Sequence, residues 1–233
     1  MKKIIITDEI FELFPDFYRG IVLVKDISNQ KSNKRIRKIL KREIERQVDI
    51  DELKEPRILA WNEAHRRFGS DPDTYLPSIT HLLKSMRPNR ALPFINSVVA
   101  LFNYVSLKYL TPCGGDNVDR VEGNLVLGIA DGTEVFIPLG DDIEEHPVPR
   151  EVIYYDDRNK NVLCRRWNWR NGEVTKITPE SKRIVLNIDC LPPVSPDMGN
   201  EATDELAELL KLHCDAEVET EYVNSDTREI EIY

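Results

Sequence analysis

Apolar positions recur at helical spacing through the first half of the chain and bunch into short, turn-bounded runs through the second. Ile4-Ile5-Ile6 predicts a short strand, and Ile21 to Val24, after Gly20, a second one short enough to be buried. Ile36, Ile39, Leu40 and Ile44 then mark one face of a helix that ends near Asp49. A further helix runs from about Pro56 to Phe68, where Gly69 stops it and Pro72 follows. Ser78 begins another, with Leu82, Leu83 and Met86 on one face, and Pro88 and Pro93 bracket a loop. Asn96 suits the N-cap of a helix carrying Val99, Leu101, Phe102 and Val105, which ends before Pro112.

Beyond Gly114-Gly115, read as a turn, strands take over. Residues 125–129, 134–138, 152–155, 162–169 and 183–188 fit short strands. Asp131-Gly132 predicts a hairpin between the first two, and Asn171-Gly172 another turn. Asn200 is placed as the cap of a last helix through Leu209, Leu210 and Leu212. Strands 217–223 and 228–233, joined by Asn224-Ser225-Asp226, close the chain. With no repeat and no low-complexity linker, the pattern predicts one α+β domain over residues 1–233, with Ile21–Val24 paired to later strands.

Composition adds limits. Of 233 residues, 41% are hydrophobic and 31% charged, enough apolar material for a core and too much for a disordered chain. No apolar run approaches the roughly 20 residues of a membrane helix. Met1-Lys2-Lys3 is followed by only three apolar residues before Thr7-Asp8-Glu9, which does not read as a signal peptide, so a cytoplasmic location and no membrane partner are expected. The net charge of −9 is concentrated: residues 201–233 carry eleven acids and two bases, and the remainder is balanced. Lys31 to Arg46 goes the other way, with eight bases against Glu43 and Glu45 on an amphipathic helix. Its exposed face reads either as a phosphate-tracking surface, with Lys34, Arg35, Lys38 and Arg42 as RNA-binding candidates, or as a solvated face.

The cysteines, Cys113, Cys164, Cys190 and Cys214, are far apart, which fits structural thiols and neither a zinc ribbon nor a disulfide framework. Cys113 beside Gly114-Gly115 is a nucleophile candidate without a nearby histidine, and an inert core thiol is the competing reading. His65, His81, His146 and His213 lack metal-ligand spacing, so no metal and no cofactor are expected. The densest polar and aromatic stretch is Cys164-Arg165-Arg166-Trp167-Asn168-Trp169-Arg170. As a strand it would put Arg166, Asn168 and Arg170 on one face and Arg165, Trp167 and Trp169 on the other. Such a strand could bind a phosphate and stack a base, or simply pack its arginines over tryptophans and against acids.

Three segments, RILAWNEAHRRFGSDPDTYLPSITHLLKSM (57–86), LPFINSVVALFNYVSLKYLTPCGGDNVD (92–119) and CRRWNWRNGEVTKITPES (164–181), resemble a B3/B4 domain. That domain is best known from the beta chain of bacterial phenylalanyl-tRNA synthetase, where it hydrolyses tyrosine misattached to the tRNA for phenylalanine. The resemblance is strongest over 57–190 and rests on the combination of Asn96, Asn103, Pro112, Asp119 and the Trp-Asn-Trp-Arg run. No aminoacylation core or anticodon-binding segment is visible, so the chain resembles a freestanding relative.

The resemblance implies an α+β fold built on a β-sandwich of unusual topology. It implies an editing pocket in which the synthetase has a histidine and a glutamate. Gly114 falls at the position of the histidine and Asn187 at that of the glutamate, with Asp189 on the same strand face as an alternative acid. The expected pocket residues are Asn103, Gly114, Gly115, Arg165, Trp167, Arg170 and Asn187, with no catalytic side chain assigned. The implied partner is tRNA or aminoacyl-tRNA, with a small amino-acid ligand also possible. Three functions compete: a trans-acting aminoacyl-tRNA deacylase, a module that binds tRNA or an amino acid without chemistry, and a protein-interaction domain using the acidic C-terminal segment. The two departures further predict that tyrosine is not the amino acid edited.

Overall fold

The computed structural model describes all 233 residues. In chain order the elements are β1 (Lys2–Ile6), α1 (Asp8–Leu13), β2 (Tyr18–Lys25), α2 (Lys34–Gln47), α3 (Pro56–Arg67), α4 (Ser78–Met86) and α5 (Ser97–Tyr109). They continue with β3 (Cys113–Asn117), a 3-10 turn over Val118–Arg120, β4 (Leu125–Ile129), β5 (Val152–Asp156), β6 (Val162–Arg165), β7 (Arg170–Asn171), β8 (Ile184–Cys190), α6 (Pro196–Cys214), β9 (Glu217–Val223) and β10 (Glu229–Ile232). The fold is α+β. One sheet has the order β10-β1-β4-β5-β6-β7, the other β3-β8-β2-β9. All pairings are antiparallel except β1 with β4.

The second sheet explains why Ile21–Val24 reads as a buried strand. β2 lies between β8 and β9, and all of Tyr18–Val24 and all of β8 are buried. α6 packs on one face of β2, so closely that a Cβ on Gly20 would lie 1.9 Å from Thr203 Oγ1. The other face looks toward the six-stranded sheet: the Arg19 guanidinium lies 5.1 Å from the ring of Tyr154 on β5. One hydrophobic core of 55 buried residues runs from Ile4 to Ile232.

The helix signals operate as the sequence implies. Asn96 Oδ1 accepts from Val99 N at 2.9 Å; at α2 a cap that the pattern did not single out, Asn33, accepts through Oδ1 from Arg35 N and Ile36 N at 3.0 and 3.2 Å. Ile36, Leu40 and Ile44 of α2 are buried against the core while its basic residues face out.

Five local expectations are corrected. α6 begins at Pro196 with Ser195 as its cap, whose Oγ accepts from Met198 N at 3.2 Å, and Asn200 lies inside the helix bonded to the Tyr18 hydroxyl. A short helix, α1, forms where none was predicted. Asp131-Gly132 makes no hairpin between 125–129 and 134–138. The Glu134 carboxylate closes the turn by accepting from Asp131 N and Gly132 N at 3.0 and 2.9 Å, and β4 pairs with β5. Gly114-Gly115 belongs to β3, paired with β8, and is no turn. Residues 162–169 are not one strand, because Arg166 and Trp167 adopt φ of 46° and 65° and turn the chain between β6 and β7. The alternation of arginines and tryptophans on two strand faces therefore does not exist. The two closing strands sit in different sheets, β9 beside β2 and β10 beside β1.

Candidate functional site

The turn from β6 to β7 builds one wall of the site. Two consecutive side-chain-bearing residues in the left-handed region cost on the order of 1–3 kcal/mol each. The surroundings hold them there. Trp167 N donates to Val152 O at 2.7 Å and Arg166 N to Glu151 Oε1 at 3.0 Å. The Trp167 ring meets Phe14, Phe17 and Trp61 edge-on at centroid distances of 4.9 to 5.2 Å. So anchored, the turn presents Asn168, whose Oδ1 accepts from Ser78 N at 3.2 Å and lies 3.4 Å from His65 Nε2. Burial lowers the pKa of His65 to about 4, which keeps its imidazole neutral.

The floor is a buried ion pair. Arg19 Nε and Nη2 donate to the two carboxylate oxygens of Asp189 at 2.6 and 3.0 Å, and Trp167 Nε1 adds a third bond at 2.9 Å. Burial works against the charge on Arg19, and Asp189 more than offsets it, so its pKa is raised. Asp189 is thus fully engaged and is not a free acid standing in for a missing glutamate.

Above this pair lies a cavity of about 70 Å³ lined by Arg19, Tyr154, Gly114, Asn187, Trp167 and Asp116, among others. Four buried polar atoms of residues lining this cavity have no hydrogen-bond partner: Arg19 Nη1, the Tyr154 hydroxyl, Asn187 Oδ1 and Asn168 Nδ2. Asn187 lies near enough to work against the burial that raises the Tyr154 pKa, yet no bond of proper geometry joins the two side chains. A second cavity, of about 380 Å³, adjoins the first and shares Gly115, Asp116 and Asn171 with it. Its other walls are mostly apolar or backbone, including Ile95, Val99, Phe102 and Ile177, with Lys31 and Lys176 among the lining residues.

Asp116 stands where the two cavities meet. Thr175 Oγ1 donates to Asp116 Oδ1 at 2.5 Å, and no protein donor reaches the second oxygen. Burial pushes the carboxyl up to about 6, against the opposing pull of Thr175 and Arg19. Cys113 also lines the small cavity, but burial raises its thiol well above the ordinary range, so it is no ready nucleophile.

Of the expected pocket residues, the fold brings Gly114, Gly115, Trp167 and Asn187 together around the small cavity. Asn103, on α5, lines neither cavity. Arg165 is turned away, gripped by Glu151 at 3.0 and 2.8 Å and by Glu145 at 2.9 Å. Arg170 is half-exposed and 3.6 Å from Glu145. Lys34, Arg35, Lys38 and Arg42 all lie exposed on α2. Lys31, just ahead of that helix, lines the larger cavity, and Arg37 sits 4.3 Å over the ring of Phe94, next to the lining residue Ile95.

The residues missed in the sequence are Arg19, Tyr154 and Asp116. A signal existed for the first: an arginine inside the apolar run Tyr18–Val24 must be paired if it is buried.

A family model described as the B3/4 domain matches residues 60–215. No curated protein matches the chain. Among solved structures, it is similar to an N-terminal fragment of the phenylalanyl-tRNA synthetase beta-subunit from Pyrococcus horikoshii, with a TM-score of 0.50 and 11% sequence identity. That match covers 92% of this chain and 49% of the fragment, so the chain spans about half its length. At such identity the likeness is one of fold.

Proposed function

The chain belongs to the B3/4 domain family, and from there we propose that it acts in trans on aminoacyl-tRNA, binding the charged 3′ end and hydrolysing the ester of a mischarged species. The observation that carries this reading is the pair of adjoining cavities with an acid where they meet. An aminoacyl-adenosine terminus has two unequal parts joined at an ester. The small polar cavity suits the amino acid, and the larger, mostly apolar one suits the nucleoside. The ester then falls beside Asp116. The basic face of α2, which begins beside the larger cavity, suits the phosphates that follow.

The chemistry asks little of the protein. An ester is already activated, so holding water and carbonyl together supplies much of the rate. The unbonded oxygen of Asp116 takes a proton from water as the hydroxide oxygen bonds to the carbonyl carbon. The tetrahedral adduct collapses by breaking the bond to the ribose oxygen, which takes the proton back from the Asp116 carboxyl and leaves it ionised again. A free amino acid and an uncharged tRNA result. A carboxylate whose pKa is near 6 is ionised at neutral pH and still basic enough to assist.

A deacylation screen over aminoacyl-tRNA pairs, beside an inert control protein, tests the reading. At least one pair is cleared faster than in the control, and Asp116→Asn slows that clearance. Failure to hydrolyse any pair removes the catalytic reading. A second reading, a module that binds without chemistry, draws on the glycine and amide at positions 114 and 187, where the resemblance places a histidine and a glutamate. It predicts saturable binding of charged tRNA with no release of amino acid.

A further inference from the structure

The small cavity is neither apolar nor satisfied, and that combination constrains its occupant. Arg19 Nη1 and Asn168 Nδ2 can only donate, the Tyr154 hydroxyl can donate or accept, and Asn187 Oδ1 can only accept. Arg19, Tyr154 and Asn187 are each more than nine-tenths buried. Leaving a buried donor or acceptor unpaired costs its full desolvation penalty. The charge on Arg19 is already neutralised, since Asp189 takes two of its nitrogens, and the remaining charge, on Asp116, lies where the cavity meets the larger one. What remains is a set of hydrogen-bonding positions facing a space of about 70 Å³, a handful of water-sized positions.

We infer that this cavity is a recognition pocket for a compact, neutral side chain ending in a carboxamide or hydroxyl, which makes small polar aminoacyl groups the substrate class of the proposed deacylase. The inference rests on the functional reading above only for the word substrate; the pocket and its ligand chemistry stand on the geometry. A carboxamide fits the unpaired atoms: its oxygen accepts from Arg19 Nη1, and its NH₂ donates to Asn187 Oδ1 and the Tyr154 oxygen. A hydroxyl, with one donor and two acceptor positions, can donate to Asn187 Oδ1 and accept from two of the donors, and it leaves room for a water. An aromatic ring with at most one polar atom fills the space with carbon and leaves buried groups unpaired. The same logic gives strong rejection of isosteric apolar side chains, because binding them strands the pocket's own polar atoms.

Two measurements test this. The first is calorimetric binding of asparaginamide, serinamide, leucinamide and phenylalaninamide to the intact protein. The second is deacylation of the corresponding aminoacyl-tRNAs. Tyr154→Phe is the diagnostic variant: its hydroxyl has no partner in the unliganded protein, so removing it leaves thermal stability unchanged or raised. The expected result is binding of the carboxamide or hydroxyl amide in preference to the apolar ones, weakened about tenfold by Tyr154→Phe. Preference for phenylalaninamide or leucinamide, or polar-amide binding indifferent to Tyr154→Phe, overturns the inference. If the polar amides bind in this way while no tRNA is deacylated, the functional reading fails and the pocket assignment survives. If tRNA is deacylated best with an aromatic aminoacyl group, the functional reading survives and the pocket assignment fails.

Discussion

Gly114 and Asn187 are direct partners across the β3–β8 ladder, so the two face the same cavity from neighbouring strands. The two positions share one face of the sheet, and the glycine leaves that face open: a Cβ at Gly114 meets no atom within 4 Å. The adjacent glycine is different. A Cβ on Gly115 would lie 2.4 Å from Leu186 Cδ2 and 2.5 Å from Val185 O. Gly114→Ala should therefore fold with stability within about 1 kcal/mol of wild type, helped by the reduced freedom of the unfolded chain. Gly115→Ala should lose about 1–3 kcal/mol through overpacking. Urea unfolding of the two variants distinguishes them, and equal behaviour would refute the difference in space.

Arg19 and Asp189 form a buried pair whose halves need each other. Asp189→Asn leaves a guanidinium uncompensated in the core and should cost about 3–5 kcal/mol. Replacing both residues with apolar ones of similar volume should recover much of the loss. Denaturant midpoints of the two single variants and the double variant give the coupling. Additive effects would mean that the two do not act as a unit.

Asp116 makes stability fall as pH rises. Its folded pKa of about 6 lies above its unfolded value of 3.8, so between these values the folded state binds more protons than the unfolded one. Stability from this group is fully present below pH 3.8 and is lost as pH climbs through about 6. Asp116→Asn should remove that loss and stabilise the protein at neutral pH by an amount on the order of 2–3 kcal/mol. His65 acts oppositely, since its folded pKa of about 4 lies below its unfolded 6.5 and stability falls as pH drops through that interval. Melting curves of wild type and Asp116→Asn from pH 4 to 7.5 should diverge up to about pH 6 and then run parallel. A constant gap would show that Asp116 titrates normally.

Lys34, Arg35, Lys38 and Arg42 are all exposed, so a combined replacement by alanine should change folding stability by less than about 0.5 kcal/mol. If the helix tracks phosphates, the same variant should bind tRNA more weakly and with a flatter salt dependence, the log–log slope shrinking by roughly 0.7–0.9 for each phosphate no longer neutralised. Filter binding at several salt concentrations reads both. An unchanged slope assigns this face to solvent.

Most elements were legible because their periodicity and caps are local. Asn96, Pro56 and the α2 stripe act within a turn or two of themselves. The site was only partly legible, since its decisive relations are long-range. Arg19 and Asp189 are 170 residues apart, and Trp167 reaches Asp189 only after Arg166 and Trp167 have broken the strand that their composition suggests. No spacing rule encodes that turn, which is held by Val152 O and the Glu151 carboxylate from elsewhere in the chain. Gly114 and Asn187 came into view through family likeness, and Asp116, two residues away from Gly114, did not, because a lone acid after two glycines carries no local signature.

The acidity of the C-terminal segment takes on another meaning once β9 and β10 are placed. Both are edge strands, each with a single paired neighbour, and Glu217, Glu219, Glu221, Glu229 and Glu231 are all exposed along them. An edge strand offers unpaired backbone groups to any second copy that approaches, and a row of like charges makes that approach costly. The carboxylates thus act as a guard against polymerisation. Replacing Glu217, Glu219, Glu221, Glu229 and Glu231 with glutamine removes the guard while the strands persist, and turbidity should then rise with protein concentration.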